Sequence, residues 1–253
     1  MKVLLTGASG RLGTELMTLL PQQVATGLAR VSVAGPDRSE LDVTDRDAFE
    51  RVASSGGYDV IVHAAAFTDV GGAQTRREQC WRTNVVGTRN AASAAERSGA
   101  TLVHISTDYV FWGDTGGYSE DDIPGPVRNY YALTKLVAEE AARSAPRHLI
   151  VRTSFRPRTW PYPEAFADVY TSQDYVDVIA PEIALAIARS PDVPYDTLHI
   201  GTHRKSVLEL ARRRAPDVRA GTRQSAAVAL PEDVSLDLSR WTSLKALWER
   251  ADA

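Results

Sequence analysis

"KVLLTGASGRLGTELMTLL", Lys2 to Leu20, runs an apolar segment into a glycine-rich turn and then into a helical pattern. Lys2–Thr6 has the continuous apolar character of a strand buried on both faces. Gly7, Gly10 and Gly13 follow in a G-x-x-G-x-x-G spacing. Arg11–Leu20 then places apolar residues at helical intervals, and Pro21 helps to end the helix. A glycine turn between a first strand and an immediate helix lets backbone approach a pyrophosphate closely. It also directs the helix N-terminus at that anion. Glycine spacing alone is a weak signal. Its setting here, with a further strand expected at Ala29–Gly35, makes it the opening of a dinucleotide-binding unit.

Apolar runs and helical patterns continue to alternate. Strands are expected at Asp59–Ala65, Thr101–Thr107 and His148–Ser154. Helices are expected at Asp45–Ser55 with Asp45 as N-cap, at Glu78–Gly99, and at Tyr130–Ser144. Such alternation builds a parallel sheet with helices on both faces, and right-handed crossovers make it doubly wound. The predicted fold is α/β, a Rossmann-type doubly wound parallel sheet.

After Ser154 the alternation weakens. Arg156–Phe166, rich in proline and aromatic residues, is expected to be an ordered loop. A helix is expected at Pro181–Ser190 with Pro181 at its first position, then a strand at Asp196–Thr202. Ser206–Ala215 and the end of Pro231–Trp248 complete the helices. Residues 1–155 are thus the expected dinucleotide-binding domain. Residues 156–253 form a mixed region, with a small C-terminal substrate-binding lobe and the last sheet elements.

The chain has 253 residues, 24% of them charged, and a net charge of −3. That is an ordinary globular composition without the basic footprint of a nucleic-acid binder. Cys80 is the single cysteine, so neither an internal disulfide nor a cysteine zinc site is available. Histidines and carboxylates show no metal-ligand spacing, and no metal is expected. Val3, Leu4 and Leu5 are too few for the apolar core of a signal peptide, and no apolar run approaches a membrane span. A cytoplasmic protein is expected. A homodimer is compatible with these features.

The end of the second strand should discriminate NAD from NADP. An acidic residue there bonds the ribose 2′-hydroxyl, whereas arginine receives a 2′-phosphate. "VAGPDRSELDVTD", Val33 to Asp45, sets Asp37 beside Arg38. Arg38 followed by Ser39 makes a reasonable phosphate clamp and favours NADPH, with NADH still open.

"NYYALTK", Asn129 to Lys135, offers two tyrosines for acid–base work. Tyr131 and Lys135 are four residues apart and share a helix face, whereas Tyr130 and Lys135 diverge. A nearby ammonium would lower the phenol's pKa and make Tyr131 a usable acid. Thr107 ends a parallel strand, where such sheets place their sites, and its hydroxyl would donate to a substrate oxygen. Arg152, Arg156, Arg158 and Lys205 are candidate partners for a nucleotide diphosphate, none of them singled out. His104 is expected to be a satisfied core histidine.

Several segments together resemble the extended short-chain dehydrogenase/reductase superfamily, in particular its dTDP-4-dehydrorhamnose reductase branch. They are "TGASGRLG", "LDVTD", "DVIVHAAAFTDV", "NVVGT", "ISTDYVF" and "YYALTKLVAEE", in the family's order over roughly the first 155 residues. The resemblance implies reduction of a keto group on a nucleotide-linked deoxysugar. It implies that Gly7, Gly10, Arg11, Leu12 and Gly13 line the cofactor diphosphate and that Asp42 and Val43 lie beside the adenine. Ala64, Ala65 and Ala66 would pack under the ribose and diphosphate, and Asn84 would support the cofactor side. Thr107, Tyr131 and Lys135 match the catalytic set, Lys135 also binding the nicotinamide ribose. Asp108 and Phe155 match substrate-contacting positions.

The chain departs from the branch at His63, where asparagine is usual, and at Gly71, where aspartate follows the valine. Phe155 replaces a tryptophan, and the loop after it is different. These departures leave the cofactor half intact and the identity of the sugar open. A nucleotide-sugar epimerase with bound NAD, or a non-catalytic NADP-binding regulatory subunit, remains compatible with the same fold. An Asp-Glu pair directly after the catalytic threonine would suit a dehydratase, but Asp108 is followed by Tyr109.

Overall fold

The computed structural model describes residues 1–26, 30–226 and 228–251. Strands β1 (Lys2–Thr6), β2 (Ser32–Ala34), β3 (Val60–His63), β4 (Thr101–Thr107) and β5 (His148–Thr153) come first. The short β6 (Phe155–Arg156), β7 (Glu164–Phe166), β8 (Tyr170–Thr171) and β9 (Asp174–Tyr175) follow. Then come β10 (Thr197–Ile200), β11 (Lys205–Ser206) and β12 (Arg219–Gly221). Six of these make one all-parallel sheet in the order β10-β5-β4-β3-β1-β2. The expected second strand is shorter than its apolar run, and its first residue, Ala29, lies outside the described residues.

Alternation along each strand supplies two cores. Val3 and Leu5, Val60 and Val62, Val103 and Ile105, and Leu149 and Val151 face one side. Leu4, Ile61, Leu102 and Ile150 face the other. On the first side they meet α1 (Arg11–Leu19), α6 (Val176–Ala188) and α8 (Ser239–Ala251), through Leu16, Ile183 and Trp248 among others. On the second they meet α2 (Arg46–Gly56) and α4 (Gly87–Ser98). The sheet is doubly wound, as the alternation predicts.

Local chemistry fixes the helix ends. Asp45 caps α2 by accepting from Ala48 N–H at 3.0 Å. Asn129 caps α5 (Tyr130–Ala142) by accepting from Ala132 N–H at 2.9 Å. The helix expected at Glu78–Gly99 is α3 (Arg77–Trp81) continued through a wide π turn, Arg82–Val86, into α4. Pro181 is not the first residue of its helix: α6 starts at Val176, and Pro181 lies inside it. Val176, Ile179, Ile183 and Ile187 form a continuous apolar stripe, and its burial outweighs the backbone bond that proline forfeits. The capping box Ser206–Glu209 starts α7 (Val207–Arg212). No described helix is long and apolar enough to cross a membrane.

Candidate active site

Strand order reverses direction at β1: β2 lies to one side of it, and β3, β4, β5 and β10 to the other. Ligands of open parallel sheets sit outside the strand C-termini at such a switch point. A cleft of about 1080 Å3 occupies that position. It starts at Gly7, Gly10, Arg11, Leu12 and Gly13, passes Ala64, Ala65 and Ala66, and reaches Thr107, Asp108, Tyr131, Lys135 and Phe155.

Backbone geometry explains the glycines. Gly7 has φ +75°, in the left-handed region that favours glycine. A Cβ on Gly7 would lie 2.7 Å from the Ala65 nitrogen, and one on Gly13 would lie 2.1 Å from the Gly7 oxygen. Gly10 is the N-cap of α1 with no side-chain hydrogen bond, so no side chain competes there for the helix's first N–H groups. Small residues on both walls and a free helix start make a cradle that fits a dinucleotide diphosphate.

At the end of the cleft where the adenine is expected, Arg38, Asp42 and Val43 line it. Arg38 Nη2 pairs with Asp42 Oδ2 at 3.2 Å, and its side chain is 78% exposed, so the head can swing to another anion. Asp37 is engaged elsewhere: its Oδ1 accepts from the Ser39 amide and hydroxyl and from the Glu40 amide. The clamp expected from Arg38 with Ser39 therefore reduces to Arg38, because the Ser39 hydroxyl is spent on Asp37.

Tyr131 and Lys135 lie one turn apart on α5, facing β4. Lys135 is 2% exposed; its ammonium donates to the Ile105 carbonyl at 2.7 Å and lies 3.2 Å from His104 Nε2. Burial lowers its pKa to about 8, with Glu139 acting against the fall. Burial also pushes the Tyr131 phenol upward, against the Thr107 hydroxyl, with Asp108 and Tyr109 adding to the rise. The lowering expected from Lys135 is not observed, because burial of the phenol dominates.

The Thr107 hydroxyl donates to Asp108 Oδ1 at 3.1 Å. Burial raises the Asp108 carboxyl to about 7, while its bond from Thr107 and the nearby Arg156 charge oppose the rise. His104 is buried with His63 stacked on it at 5.7 Å, and burial holds both imidazoles neutral. His63 Nδ1 meets the Thr6 hydroxyl at 2.8 Å, so the residue that departs from the branch pattern is a core contact behind the cleft.

Asn84 is placed in the second rank rather than on the cleft wall. Its amide clasps the Phe67 backbone, accepting from N–H at 2.7 Å and donating to the carbonyl at 3.2 Å. It also donates to the Thr134 hydroxyl on α5 at 2.9 Å. The π turn that holds Asn84 thus ties the alanine wall to the tyrosine helix.

Of the four candidate cations Arg156 lines the cleft, and the structure adds neighbours that spacing did not indicate: Trp160, Tyr162 and Phe166 line it with Arg156, as do Thr171 and Gln173. Arginine alternating with aromatics in "RPRTWPY" was the available signal.

Comparison with known proteins agrees with this architecture. Residues 1–179 match the RmlD substrate binding domain. A dTDP-4-dehydrorhamnose reductase of Mycobacterium tuberculosis is 33% identical over 258 aligned positions, covering 100% of this chain and 76% of that protein. The reductase of the same name from Mycolicibacterium smegmatis is 39% identical over 158 residues, covering 61% of this chain and 45% of that protein. The crystal structure of dTDP-4-dehydrorhamnose reductase from Bacillus anthracis in complex with NADP superposes with a TM-score of 0.84 at 27% identity, covering 99% of this chain and 96% of that one. With the family match spanning most of its length and the parallel sheet and glycine cradle in place, the chain belongs to the RmlD substrate-binding-domain family.

Proposed function

We propose that this chain is an NADPH-dependent ketoreductase acting on the keto group of a nucleotide-linked deoxysugar, of the kind for which its relatives are named. The supporting observation is the convergence of Thr107, Tyr131 and Lys135 on one wall of a cleft that begins in a glycine cradle. A reduced nicotinamide held in that cleft would supply the hydride for the carbonyl carbon.

The chain's own residues handle the oxygen. Burial keeps Tyr131 as a neutral phenol, the form required of an acid, and it gives its proton to the carbonyl oxygen. The Thr107 hydroxyl turns from Asp108 to hold the same oxygen. Lys135 holds the ribose beside the ring. Gly7, Gly10, Arg11, Leu12 and Gly13 hold the diphosphate, Ala64, Ala65 and Ala66 leave it room, and Asn84 fixes that wall from behind. Asp42 and Val43 flank the adenine, and Arg38 takes the 2′-phosphate, since Asp37 is occupied by Ser39 and Glu40. Asp108 and Phe155 face the sugar. On this assignment the protein works in the cytoplasm, as a monomer or a homodimer.

Neither the epimerase nor the regulatory-subunit alternative is favoured by a particular residue. The test is direct: purified protein is mixed with NADPH and a keto-deoxysugar nucleotide, and cofactor absorbance is followed. Binding of the cofactor without oxidation by any such substrate would sink the reductase assignment and leave the regulatory one standing.

A further inference from the structure

Four cations were candidates for the substrate's diphosphate, and the structure commits three of them elsewhere. Arg152 is 1% exposed and paired with Glu139. Arg158 is held by both carboxylate oxygens of Glu15 at 2.8 Å. Lys205 donates to the Thr202 hydroxyl at 2.6 Å and to the His203 carbonyl at 2.9 Å. Arg156 differs. Among the described residues its Nε is buried with no hydrogen-bond partner, and Arg156 lines the cleft beside Phe155.

Its surroundings are specific. The guanidinium centre lies 5.6 Å from the Trp160 ring and 6.0 Å from the Tyr162 ring. The two rings meet edge to face at 5.5 Å. Trp160 Nε1, like Arg156 Nε, is buried without a partner among the described residues. Tyr162 stays 52% exposed at the mouth. Pairing of β6 with β9 fixes the backbone, aligning Arg156 with Tyr175. Glu164, on the same rim, receives the Ser225 hydroxyl at 3.3 Å, and the charge of Arg156 reaches the buried Asp108.

Two buried donors without acceptors are costly unless something fills them. A planar cation and an indole N–H beside aromatic faces suit a phosphate oxygen attached to a stacking base. We infer that Arg156, Trp160 and Tyr162 anchor the nucleoside diphosphate of the substrate: Arg156 and the Trp160 N–H take the phosphate oxygens and the rings carry the base. This rests on the sugar-nucleotide assignment above. It locates that specificity in the loop where the chain departs from the branch pattern. Arg156 is a binding residue here, outside the proton-transfer set.

The experiment separates this anchor from the reductase assignment by using thymidine 5′-diphosphate, which has no keto group to reduce. Binding is measured calorimetrically on protein saturated with NADP+, for wild type and for Arg156→Met, Trp160→Phe and Trp160→Ala. The expected result is a loss of at least about tenfold in thymidine diphosphate affinity for Arg156→Met, the scale of a lost charge-assisted hydrogen bond. Trp160→Phe should lose less than Trp160→Ala, and NADP+ affinity should be unchanged throughout. In turnover, Arg156→Met should raise KM and leave kcat, the mark of binding shared by ground and transition states. Absence of thymidine diphosphate binding to wild type, or equal affinity in wild type and Arg156→Met, overturns the anchor. Tyr131→Phe should keep thymidine diphosphate binding, so loss of turnover and loss of the anchor are read independently.

Discussion

Arg152 Nη2 lies 2.9 Å from Glu139 Oε2, with each side chain 1% exposed, so the helix that carries Tyr131 and Lys135 is fastened to the sheet by a sealed ion pair. Glu139 is one turn beyond Lys135 on α5, and Arg152 is on β5. Ser106, adjacent to Thr107, donates to Glu139 Oε1 at 2.6 Å. Deleting one partner leaves a buried charge uncompensated, at a cost of about 3–5 kcal/mol. Arg152→Met should lose that much in urea unfolding. Arg152→Met with Glu139→Gln should recover part of the loss, because neither charge is then stranded. A single-variant loss below about 1 kcal/mol, the size of a surface pair, would show that the contact carries no such weight.

Tyr131 and Tyr130 make a paired prediction. Tyr131 is 9% exposed and lines the cleft, whereas Tyr130 stacks under the Arg77 guanidinium, 5.1 Å from its centre. Tyr131→Phe removes the proposed proton donor and keeps the ring, so kcat should fall roughly 10²–10⁴-fold. NADPH affinity, read by fluorescence titration, should stay within about threefold, as the ring volume is conserved. Tyr130→Phe should leave kcat nearly intact. The reverse ranking of the two variants would move the acid to the other tyrosine.

How much of this was legible beforehand depends on the range of the interaction. An apolar run located β4 to the residue, and a spacing of four placed Tyr131 and Lys135 on one helix face. Those are local properties of the chain. Whether Lys135 would tune Tyr131 was not local. It depends on the Ile105 carbonyl and His104, contributed by a strand about thirty residues earlier, and on burial of the whole wall. Pro181 misled for the same reason: its local preference was overridden by a stripe that packs against α1 and β10. The rim at Arg156, Trp160 and Tyr162 was invisible to periodicity, because a proline-rich loop has none. Only the tertiary fold shows which arginines are already spoken for.

On the proposed assignment, Arg38 carries the cofactor preference. Its head lies on the cleft and is held by an exposed contact to Asp42, which costs little to exchange. Arg38→Ala should weaken NADPH by about tenfold or more, the scale of one charge-assisted bond to phosphate, and leave NADH almost unchanged. Isothermal titration with both cofactors reads the difference. Equal losses for the two would place the arginine on the shared diphosphate instead.

Asp108 should write a pH dependence into stability. Its ordinary value is 3.8, and burial raises the folded value to about 7. Between those values the folded state holds a proton that the unfolded chain has released. Stability contributed by this group is therefore present at low pH and lost as pH rises toward 7, then flat above it. Asp108→Asn keeps an acceptor for the Thr107 hydroxyl at Oδ1 but cannot titrate. Relative to wild type, the variant should gain roughly 2–3 kcal/mol between pH 5 and pH 8, since each pKa unit is worth about 1.4 kcal/mol. Urea midpoints at both pH values measure that gap, and shared ionisations cancel in the comparison. A gap that stays constant with pH would mean that Asp108 is already ionised in the folded protein at pH 5, with Arg156 compensating its charge more fully than burial opposes it.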